Sequence, residues 1–311
     1  MTHIPSDIIG VFNHLPDQLI ATVHKDPDVD AIGSLLAFQR LINGLGKQIT
    51  LYVPDFNPAL FAYLPGVDTI EKDAEAPYDM AFFLDCSDHS RIVKPQAFPN
   101  ATTIVNIDHH QDNTRFGHHN WVANASSVGE MLYHLFQALN QPMSSQTATL
   151  LYSAICFDTG NFKFANTTRD TFIAAADLIQ KGIKASYISE CIFEQKTKKY
   201  FEDVRMGLNN MYIDREHPFM IVHIPNHPQM SGESTINFFR QLEQMELVIV
   251  CKEVKKRQYR LSFRSKQQVN VAKIASQFDG GGHIRAAGAT AEASFEELQV
   301  ALIEYCTEAF Q

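Results

Sequence analysis

The first 180 residues alternate short apolar runs with stretches of helical character. Five of these runs have the length and composition of β-strands and cover residues 19–24, 48–53, 80–85, 102–108 and 149–158, the last of which could begin as a helix. Helices are predicted over residues 30–44, 127–140 and 167–182. This alternation is typical of a parallel sheet covered by helices, so the sequence predicts an α/β fold for this part of the chain.

A change of pattern after residue 185 indicates a second, smaller domain, as the length of 311 residues also suggests. Residues 186–212 are polar and helix-forming, without glycine until Gly207, which predicts a helical linker. Strand-like runs then cover 219–225, 247–254 and 258–265, and helices are predicted near 270–277 and 294–309. We therefore predict a catalytic domain over 1–185, a linker over 186–212 and a mixed α/β domain over 213–311.

Composition places the chain among ordinary globular proteins, with 45% hydrophobic and 20% charged residues. No apolar stretch approaches the roughly 20 residues of a membrane-spanning helix, and the N-terminus lacks a signal-peptide pattern, so we expect a cytoplasmic protein without a membrane partner. Five widely spaced cysteines without a CxxC pair argue against a disulfide framework or a zinc knuckle. The net charge of −9 argues against long duplex nucleic acid as a partner, because such binding depends on lysine and arginine.

Four of the five strand-like runs in the N-terminal domain end in an acid or a histidine. These residues, with the acids and histidines that follow them, are His24, Asp28, Asp30, Asp85, Asp108, His109, His110 and Asp158. The carboxyl ends of parallel strands line one edge of a sheet, where ligands bind, so these side chains can converge. Carboxylates packed together need cations, and mixed histidine and aspartate ligands suit Mn²⁺ or a related divalent ion. Two such ions about 3.5–4 Å apart favour phosphoester hydrolysis.

Each of these motifs also has a simpler interpretation when it is taken alone. The Asp-Pro-Asp-x-Asp sequence that ends at Asp30 is commonly a solvated turn that caps the following helix. Asp85 and Asp158 could each start a turn after a strand, and the pair of His109 and His110 could serve packing. Their occurrence at successive strand ends favours a shared site.

The order of these motifs resembles that of the DHH-family phosphoesterases. The residues that carry the resemblance are the run from His24 to Ser34, Asp85-Cys86-Ser87-Asp88, Asp108-His109-His110, Asp158-Thr159-Gly160 and, downstream, Gly280-Gly281-Gly282-His283 followed by Ala286-Ala287-Gly288, which resembles the DHH-associated C-terminal domain. The resemblance covers nearly the whole chain and is greatest to the bacterial nano-RNase and 3′-phosphoadenosine-5′-phosphate (pAp) phosphatase branch. One departure is Val29, where many relatives carry glycine; a β-branched residue does not readily adopt a positive φ, so this turn must be built differently.

The resemblance implies two metal ions and an active site in the cleft between the two domains. By this resemblance the first ion is held by His24, Asp28 and Asp85, and the second by Asp30, His109 and Asp158, with Asp85 bridging both. It further implies that a metal-bridged hydroxide attacks the phosphate, with Asp85 and His110 as the catalytic residues. His110 would face the scissile phosphate, where it either orients the phosphate or protonates the leaving oxygen.

The C-terminal domain is expected to bind the substrate. Three successive glycines allow backbone N–H groups to approach an anion, so Gly281 and Gly282 are candidate phosphate contacts, with His283 beside them. A simple turn between a helix and a strand is the alternative. Strand alternation places Arg264 on a polar face, and Arg264 with Ser265 resembles the substrate-binding Arg-Ser pair of the family; arginine suits phosphate through its fork of donors.

The predicted function is hydrolysis of short oligonucleotides and linear dinucleotides to mononucleotides, or of pAp to AMP and phosphate, with Mn²⁺ and with Mg²⁺ or Co²⁺ as alternatives. Inorganic pyrophosphatase and cyclic-dinucleotide phosphodiesterase are the alternative enzymes that the resemblance leaves open. A metal-dependent nucleotide sensor is the alternative that is not an enzyme. A homodimer is also left open.

Overall fold

The structure, a computed structural model, describes residues 3–54, 56–74, 77–92, 103–226 and 234–311. The chain divides into two compact units, Met1–Gln195 and Lys196–Gln311. Each unit has its own six-stranded sheet and its own hydrophobic core. The predicted fold class, a parallel-sheet α/β domain followed by a smaller mixed domain, is confirmed.

The first unit is built on a parallel sheet. Its strands are β1 (Leu19–Thr22), β2 (Thr50–Tyr52), β3 (Ile70–Glu71), β4 (Met80–Leu84), β5 (Thr103–Asp108) and β6 (His119–Val122). They lie in the order β3-β2-β1-β4-β5-β6, which makes β1, β4 and β5 neighbours. Four of the predicted strands are confirmed as β1, β2, β4 and β5. All residues of β1 and β4 are buried, because both faces of the sheet are covered.

The first unit also contains helices. Among the described residues they are α1 (Ser6–Asn13), α2 (Val29–Gly44), α3 (Val128–Ala138), α4 (Ser145–Asp158), α5 (Arg169–Ile179) and α6 (Ala185–Phe193). Of these, α1 and α2 pack against the sheet. The predictions of α2, α3 and α5 are confirmed, whereas the strand predicted over 149–158 is wrong, because these residues belong to α4. This helix packs against α2, α3, α5 and α6, so it is apolar on nearly every side. A buried helix and a buried strand then share one sequence pattern.

Two glycines allow α2 and α3 to pack closely on α4. A Cβ atom at Gly33 would lie 2.9 Å from the carbonyl oxygen of Leu150. A Cβ atom at Gly129 would lie 2.5 Å from the Cβ of Ala154 and 3.1 Å from the carbonyl oxygen of Leu151. Larger side chains at these positions would push apart the helices that carry part of the candidate site.

Replacing Gly129 with alanine is therefore expected to destabilise the protein by about 1–3 kcal/mol, the usual cost of overpacking a core. Gly10→Ala is the matched control, because Gly10 lies in α1 and a Cβ there meets nothing within 4 Å. The control should be neutral or more stable by up to about 1 kcal/mol. Urea unfolding followed by circular dichroism measures both variants, and equal stability of the two would contradict the packing argument.

The second unit contains a mixed sheet. Its strands are β7 (Met211–Ile213), β8 (Phe219–Ile224), β9 (Leu247–Lys255), β10 (Gln258–Ser265), β11 (Gly281–His283) and β12 (Ala286–Glu292). The order is β11-β12-β10-β9-β8-β7, with β8 parallel to β9 and the other pairs antiparallel. The predictions of β8, β9 and β10 are confirmed, whereas β7, β11 and β12 were not predicted.

The described helices of the second unit flank this sheet. They are α7 (Lys198–Asn209), α8 (Ile236–Phe239), α9 (Val271–Ala275) and α10 (Phe295–Glu308), and α9 and α10 confirm the two predicted helices. A buried ion pair of 2.6 Å between Asp203 Oδ2 and Lys252 Nζ joins α7 to β9. The predicted linker, 186–212, thus contains most of α6 and all of α7, and the two units divide within it, after Gln195.

None of the helices in the described part of the chain combines the length and apolar character that crossing a bilayer requires. All five cysteines lie in described residues, and each is unpaired. Four of them, Cys86, Cys156, Cys251 and Cys306, are buried and act as small core side chains.

Candidate metal centre

Three neighbouring strand ends bring predicted residues to one edge of the first sheet. β1 ends two residues before His24, β4 ends directly before Asp85, and β5 ends directly before His109. The three side chains are 6%, 2% and 8% exposed. The convergence that the sequence predicted for them is therefore found, in a position almost closed to water.

Asp158 reaches the same place from a different element. It does not end a strand, as was predicted, but is the last residue of α4. Its Oδ2 lies 3.1 Å from Nε2 of His109. The strand predicted for Asp158 is wrong, yet its carboxylate lies where that prediction placed it.

These side chains form two groups, and within each group the ligand atoms lie within 4.8 Å of one another. The first group contains His24, Asp28 and Asp85, and the second contains Asp30, His109 and Asp158. Asp85 belongs to the first group and also approaches the second. Its Oδ2 is 3.5 Å from Nε2 of His24, and its Oδ1 is 3.5 Å from Nε2 of His109. Buried histidine nitrogens and carboxylate oxygens at this spacing are a suitable donor set for a divalent cation.

Asp85 has an unusual backbone conformation and an unsatisfied oxygen. Its φ is 53°, in the left-handed region, and its N–H donates to the carbonyl oxygen of Ile107 at 3.0 Å. Non-glycine residues adopt this region seldom, and such strain is concentrated at functional sites. Its Oδ1 is buried and accepts no hydrogen bond from any part of the chain that the structure describes. Because a buried carboxylate oxygen needs a partner, this atom fits a cation ligand.

The turn before α2 is built without the glycine of many relatives. Val29 is the first residue of α2, and the left-handed residue of the turn is instead Asp26, with a φ of 53°. Aspartate tolerates this region better than a β-branched residue does. Asp28 is the N-cap of α2, and its Oδ1 accepts a 3.0 Å hydrogen bond from the N–H of Ala31. The departure at Val29 therefore leaves the aspartates of the motif in place.

Asp30 connects the site to the start of α3. It is fully buried and accepts hydrogen bonds from the hydroxyl of Ser34 at 2.8 Å, the N–H of Val128 at 2.8 Å and the N–H of Gly129 at 3.0 Å. Three donors on one carboxylate fix its orientation, and the N-terminus of a helix stabilises its charge. The sequence indicated Asp30 as a ligand but did not indicate this second role.

Backbone carbonyls orient the two histidines. Nδ1 of His24 donates to the carbonyl oxygen of Lys25 at 2.7 Å, and Nδ1 of His109 donates to that of Ala125 at 3.3 Å. A ring that donates from Nδ1 presents Nε2 on its opposite side, which is the usual arrangement of a metal-binding histidine. In both residues Nε2 is the atom that faces Asp85.

Electrostatic coupling shifts the pKa values of these groups. Burial lowers the pKa of His24, but the approach and charge of Asp85 outweigh burial and raise this pKa to about 9. Burial also lowers the pKa of His109. The hydrogen bonds and charges of Asp158 and Asp85 outweigh burial and raise this pKa well above its usual range. Burial, and then repulsion from Asp85, raise the pKa of Asp28 to about 6. A cation that binds here must therefore displace protons from the histidines.

His110 belongs to a third group, which also contains Asp85 and Asp108. Nδ1 of His110 donates to Oδ1 of Asp108 at 2.7 Å, and Nδ2 of Asn113 donates to Oδ2 of the same carboxylate at 2.6 Å. Burial would raise the pKa of Asp108, but the hydrogen bond and charge of His110 lower it. Both oxygens of Asp108 thus already have donors, so its environment is that of an orienting carboxylate. The sequence did not identify Asn113.

The strand alternation predicted around Arg264 is found in β10, where Leu261 and Phe263 are buried and Arg264 lies half-buried on the opposite face. An N–H of its guanidinium donates to the carbonyl oxygen of Phe263 at 2.9 Å. Ser265 is fully buried, and its hydroxyl donates to the carbonyl oxygen of Val269 at 2.6 Å. Substrate binding by Arg264 and Ser265 stays a prediction.

The predicted glycine loop is the strand β11, which pairs with β12 in a hairpin. Gly282 has a φ of 137°, and a Cβ atom there would lie 2.6 Å from the carbonyl oxygen of Ala286. A Cβ atom at Gly280 would lie 2.3 Å from the carbonyl oxygen of Gly288. The hairpin thus requires these two glycines for its own packing. Phosphate binding by Gly281, Gly282 and His283 stays a prediction.

Comparison with known proteins identifies the family of the chain. The model of the DHH family, N-terminal domain, matches residues 18–155, and that of the DHHA1 domain matches residues 225–308. A bifunctional oligoribonuclease and PAP phosphatase NrnA of Thermus thermophilus is 32% identical over 276 residues, which are 87% of this chain and 83% of that protein. The chain belongs to the DHH family. The NrnA protein of Bacillus subtilis, which has the same description, matches this DHH protein at 26% identity over 89% of the chain and 90% of its own length.

A solved structure resembles the DHH chain over both units. The crystal structure of an exopolyphosphatase-related protein from Bacteroides fragilis has a TM-score of 0.86 and 21% sequence identity, and the match covers 98% of this chain and 97% of that one. At this identity the similarity concerns the fold, which agrees with the architecture described above.

Proposed function

We propose that this DHH-family protein is a metal-dependent phosphoesterase of the cytoplasm that hydrolyses short oligonucleotides to mononucleotides and pAp to AMP and phosphate. The observation that carries the proposal is the meeting of two ligand groups at Asp85, a buried carboxylate within 3.5 Å of a histidine from each group. The substrate class is supported by relatives that match over most of their length and are named oligoribonuclease and PAP phosphatase.

We assign one ion to His24, Asp28 and Asp85 and a second to Asp30, His109 and Asp158, with Asp85 shared. Mn²⁺ suits this mixture of nitrogen and oxygen donors, and Mg²⁺ and Co²⁺ are the alternatives. When bound, such ions lower the pKa of water and offset the negative charge of a phosphate. The protein supplies fixed ligand orientations, through the carbonyls behind His24 and His109 and the N–H groups behind Asp30.

The remaining assigned roles concern the substrate. His110, oriented by Asp108, protonates the oxygen that leaves the phosphorus. Arg264, Ser265, Gly281, Gly282 and His283 are assigned to binding of the nucleotide and its phosphates. Their position in a cleft between the domains stays a prediction. A short substrate suits an acidic protein, since it brings few phosphates to be neutralised.

Metal affinity is expected to rise with pH. His24, with a pKa of about 9, and His109, whose pKa is also raised, carry protons at neutral pH that an ion must displace, whereas Asp28 adds a further proton only near and below pH 6. Each displaced proton makes the affinity about tenfold higher per pH unit. Calorimetric titration with Mn²⁺ between pH 6 and 8.5, in buffers of different ionisation enthalpy, should show proton release on binding. A pH-independent affinity without proton release would contradict the cited pKa shifts.

The function is tested by incubating the protein and Mn²⁺ with a labelled RNA dinucleotide, with pAp and with pyrophosphate in parallel. Release of mononucleotide from the dinucleotide and of phosphate from pAp is expected, and His109→Ala should abolish both. Hydrolysis of pyrophosphate alone would indicate a pyrophosphatase. Stoichiometric binding of unchanged nucleotide over hours would indicate a sensor.

A further inference from the structure

The carboxylate of Asp108 is fully buried, and both of its oxygens accept short hydrogen bonds. Oδ1 accepts from Nδ1 of His110 at 2.7 Å, and Oδ2 accepts from Nδ2 of Asn113 at 2.6 Å. The carboxylate therefore links His110, which lies at the site, to Asn113, which lies in the loop after β5, through one hydrogen bond to each.

Asn113 also forms hydrogen bonds at the ends of the neighbouring strands β4 and β5. Its Nδ2 lies 2.8 Å from Oδ1 of Asn106 in β5 and 3.2 Å from the carbonyl oxygen of Cys86, the residue after Asp85. Its Oδ1 accepts from the N–H of Arg115 at 2.6 Å. The amide thus uses its donor side on the ends of β4 and β5 and its acceptor side on its own loop. This arrangement fixes the amide in the one orientation that presents N–H to Asp108.

The consequence for His110 follows from the chemistry of the ring. A carboxylate that accepts from Nδ1 fixes the tautomer and the plane of an imidazole, so that Nε2 is the nitrogen that can serve a substrate. A carboxylate with only one donor can rotate about its χ2 torsion, which is broad for aspartate. The second donor, from Asn113, removes this freedom.

We propose that Asn113 is a positioning residue for phosphoester cleavage, which acts through Asp108 to hold His110 with Nε2 directed at the leaving oxygen. The proposal rests on the proposed function. In the step concerned, the oxygen of water forms a new bond to phosphorus, and the bond from phosphorus to the sugar oxygen breaks. The sugar oxygen takes the proton from Nε2 of His110, and the proton lost by the water replaces it.

The kinetic test compares two leaving groups in the holoenzyme. Toward an RNA dinucleotide, whose sugar oxygen needs a proton to leave, Asn113→Ala should lower kcat about 10- to 100-fold with little change in KM. Toward the p-nitrophenyl ester of thymidine 5′-phosphate, whose leaving group needs no proton, the loss should be at most about threefold. Mn²⁺ content should equal that of the wild type.

Two further variants separate positioning from loop structure. Asn113→Asp keeps the acceptor for the N–H of Arg115 but turns a carboxylate toward Asp108, so it should show the same dependence on leaving group. Thr114→Val removes a hydrogen bond of 3.2 Å from the same loop to the carbonyl oxygen of Ser87 and should leave both rates unchanged. Equal losses on both substrates, or no loss on the dinucleotide, would overturn the proposal.

A spectroscopic readout does not depend on turnover. In protein with ¹⁵N-labelled histidine, without added metal and at a pH where the ring is neutral, His110, identified by comparison with His110→Gln, should carry its proton on Nδ1 in the wild type and in Thr114→Val. In Asn113→Ala its two nitrogen shifts should move toward a tautomer average. Unchanged shifts in that variant would overturn the proposal, whereas inactivity of the wild type toward both substrates would instead remove the proposed function.

Discussion

Replacing Asp85 with alanine is expected to lower kcat/KM toward an RNA dinucleotide by about 10³-fold or more. Asp85 approaches both ligand groups, with 3.5 Å contacts to His24 and to His109, so its loss affects both assigned ions at once. Several kcal/mol of charge stabilisation depend on these ions, and each 1.36 kcal/mol is about tenfold in rate. Asp28 belongs to one group only, so Asp28→Ala should cost less, about 10²-fold.

Metal content measured by mass spectrometry on the same samples completes this test. Asp85→Ala should retain little Mn²⁺, and Asp28→Ala should retain about half of the wild-type amount if one ion is lost. Asp88→Ala is the matched control, since Asp88 lies in the same loop but its carboxylate caps a short turn by accepting from the N–H of Ser90. Similar rates and similar metal contents in the Asp85 and Asp28 variants would contradict a shared ligand.

Replacing His110 with glutamine should lower kcat by about 10²- to 10⁴-fold, the usual contribution of a positioned general acid. Unlike the ligand variants, His110→Gln should keep the full content of Mn²⁺, because Nδ1 of His110 is engaged by Asp108 and the two assigned ion sites do not include this residue. KM should change little, since proton transfer acts in the transition state. Steady-state kinetics and metal analysis on one preparation measure all three quantities.

His14→Gln is the control for this substitution, because His14 is an exposed histidine of the same unit and its Nδ1 lies 3.2 Å from the carbonyl oxygen of Gly10. It should behave as the wild type. If His110→Gln lost metal in proportion to activity, His110 would be a ligand, and the role assigned to it would be wrong.

The strands that carry the site could be predicted from the sequence because their signal is local. β1, β4 and β5 are short apolar runs, each with an acid or a histidine within two residues of its end, and the geometry of a parallel sheet then brings His24, Asp85 and His109 to one edge. α4 could not be predicted in the same way. A largely buried helix and a buried strand have similar compositions, and the packing of α2, α3, α5 and α6 around α4 decides between them.

Other features of the site depend on contacts distant in sequence. The N–H groups that hold Asp30 come from Val128 and Gly129, which lie at the start of α3, and no local pattern near Asp30 indicates them. The left-handed backbone of Asp85 is accompanied by a hydrogen bond from its N–H to the carbonyl oxygen of Ile107 in the neighbouring strand β5. Asn113 resembles any loop asparagine until its amide is seen beside Asp108. Side-chain orientation therefore required the structure.

The most direct test of the central claim is an anomalous-difference map from crystals grown with Mn²⁺ and measured at the manganese absorption edge. We predict two peaks about 3.5–4 Å apart, the usual separation in two-metal hydrolases, one among His24, Asp28 and Asp85 and the other among Asp30, His109 and Asp158. A single peak, a peak at Asp108 and His110, or no peak at saturating Mn²⁺ would contradict a two-ion centre that shares Asp85.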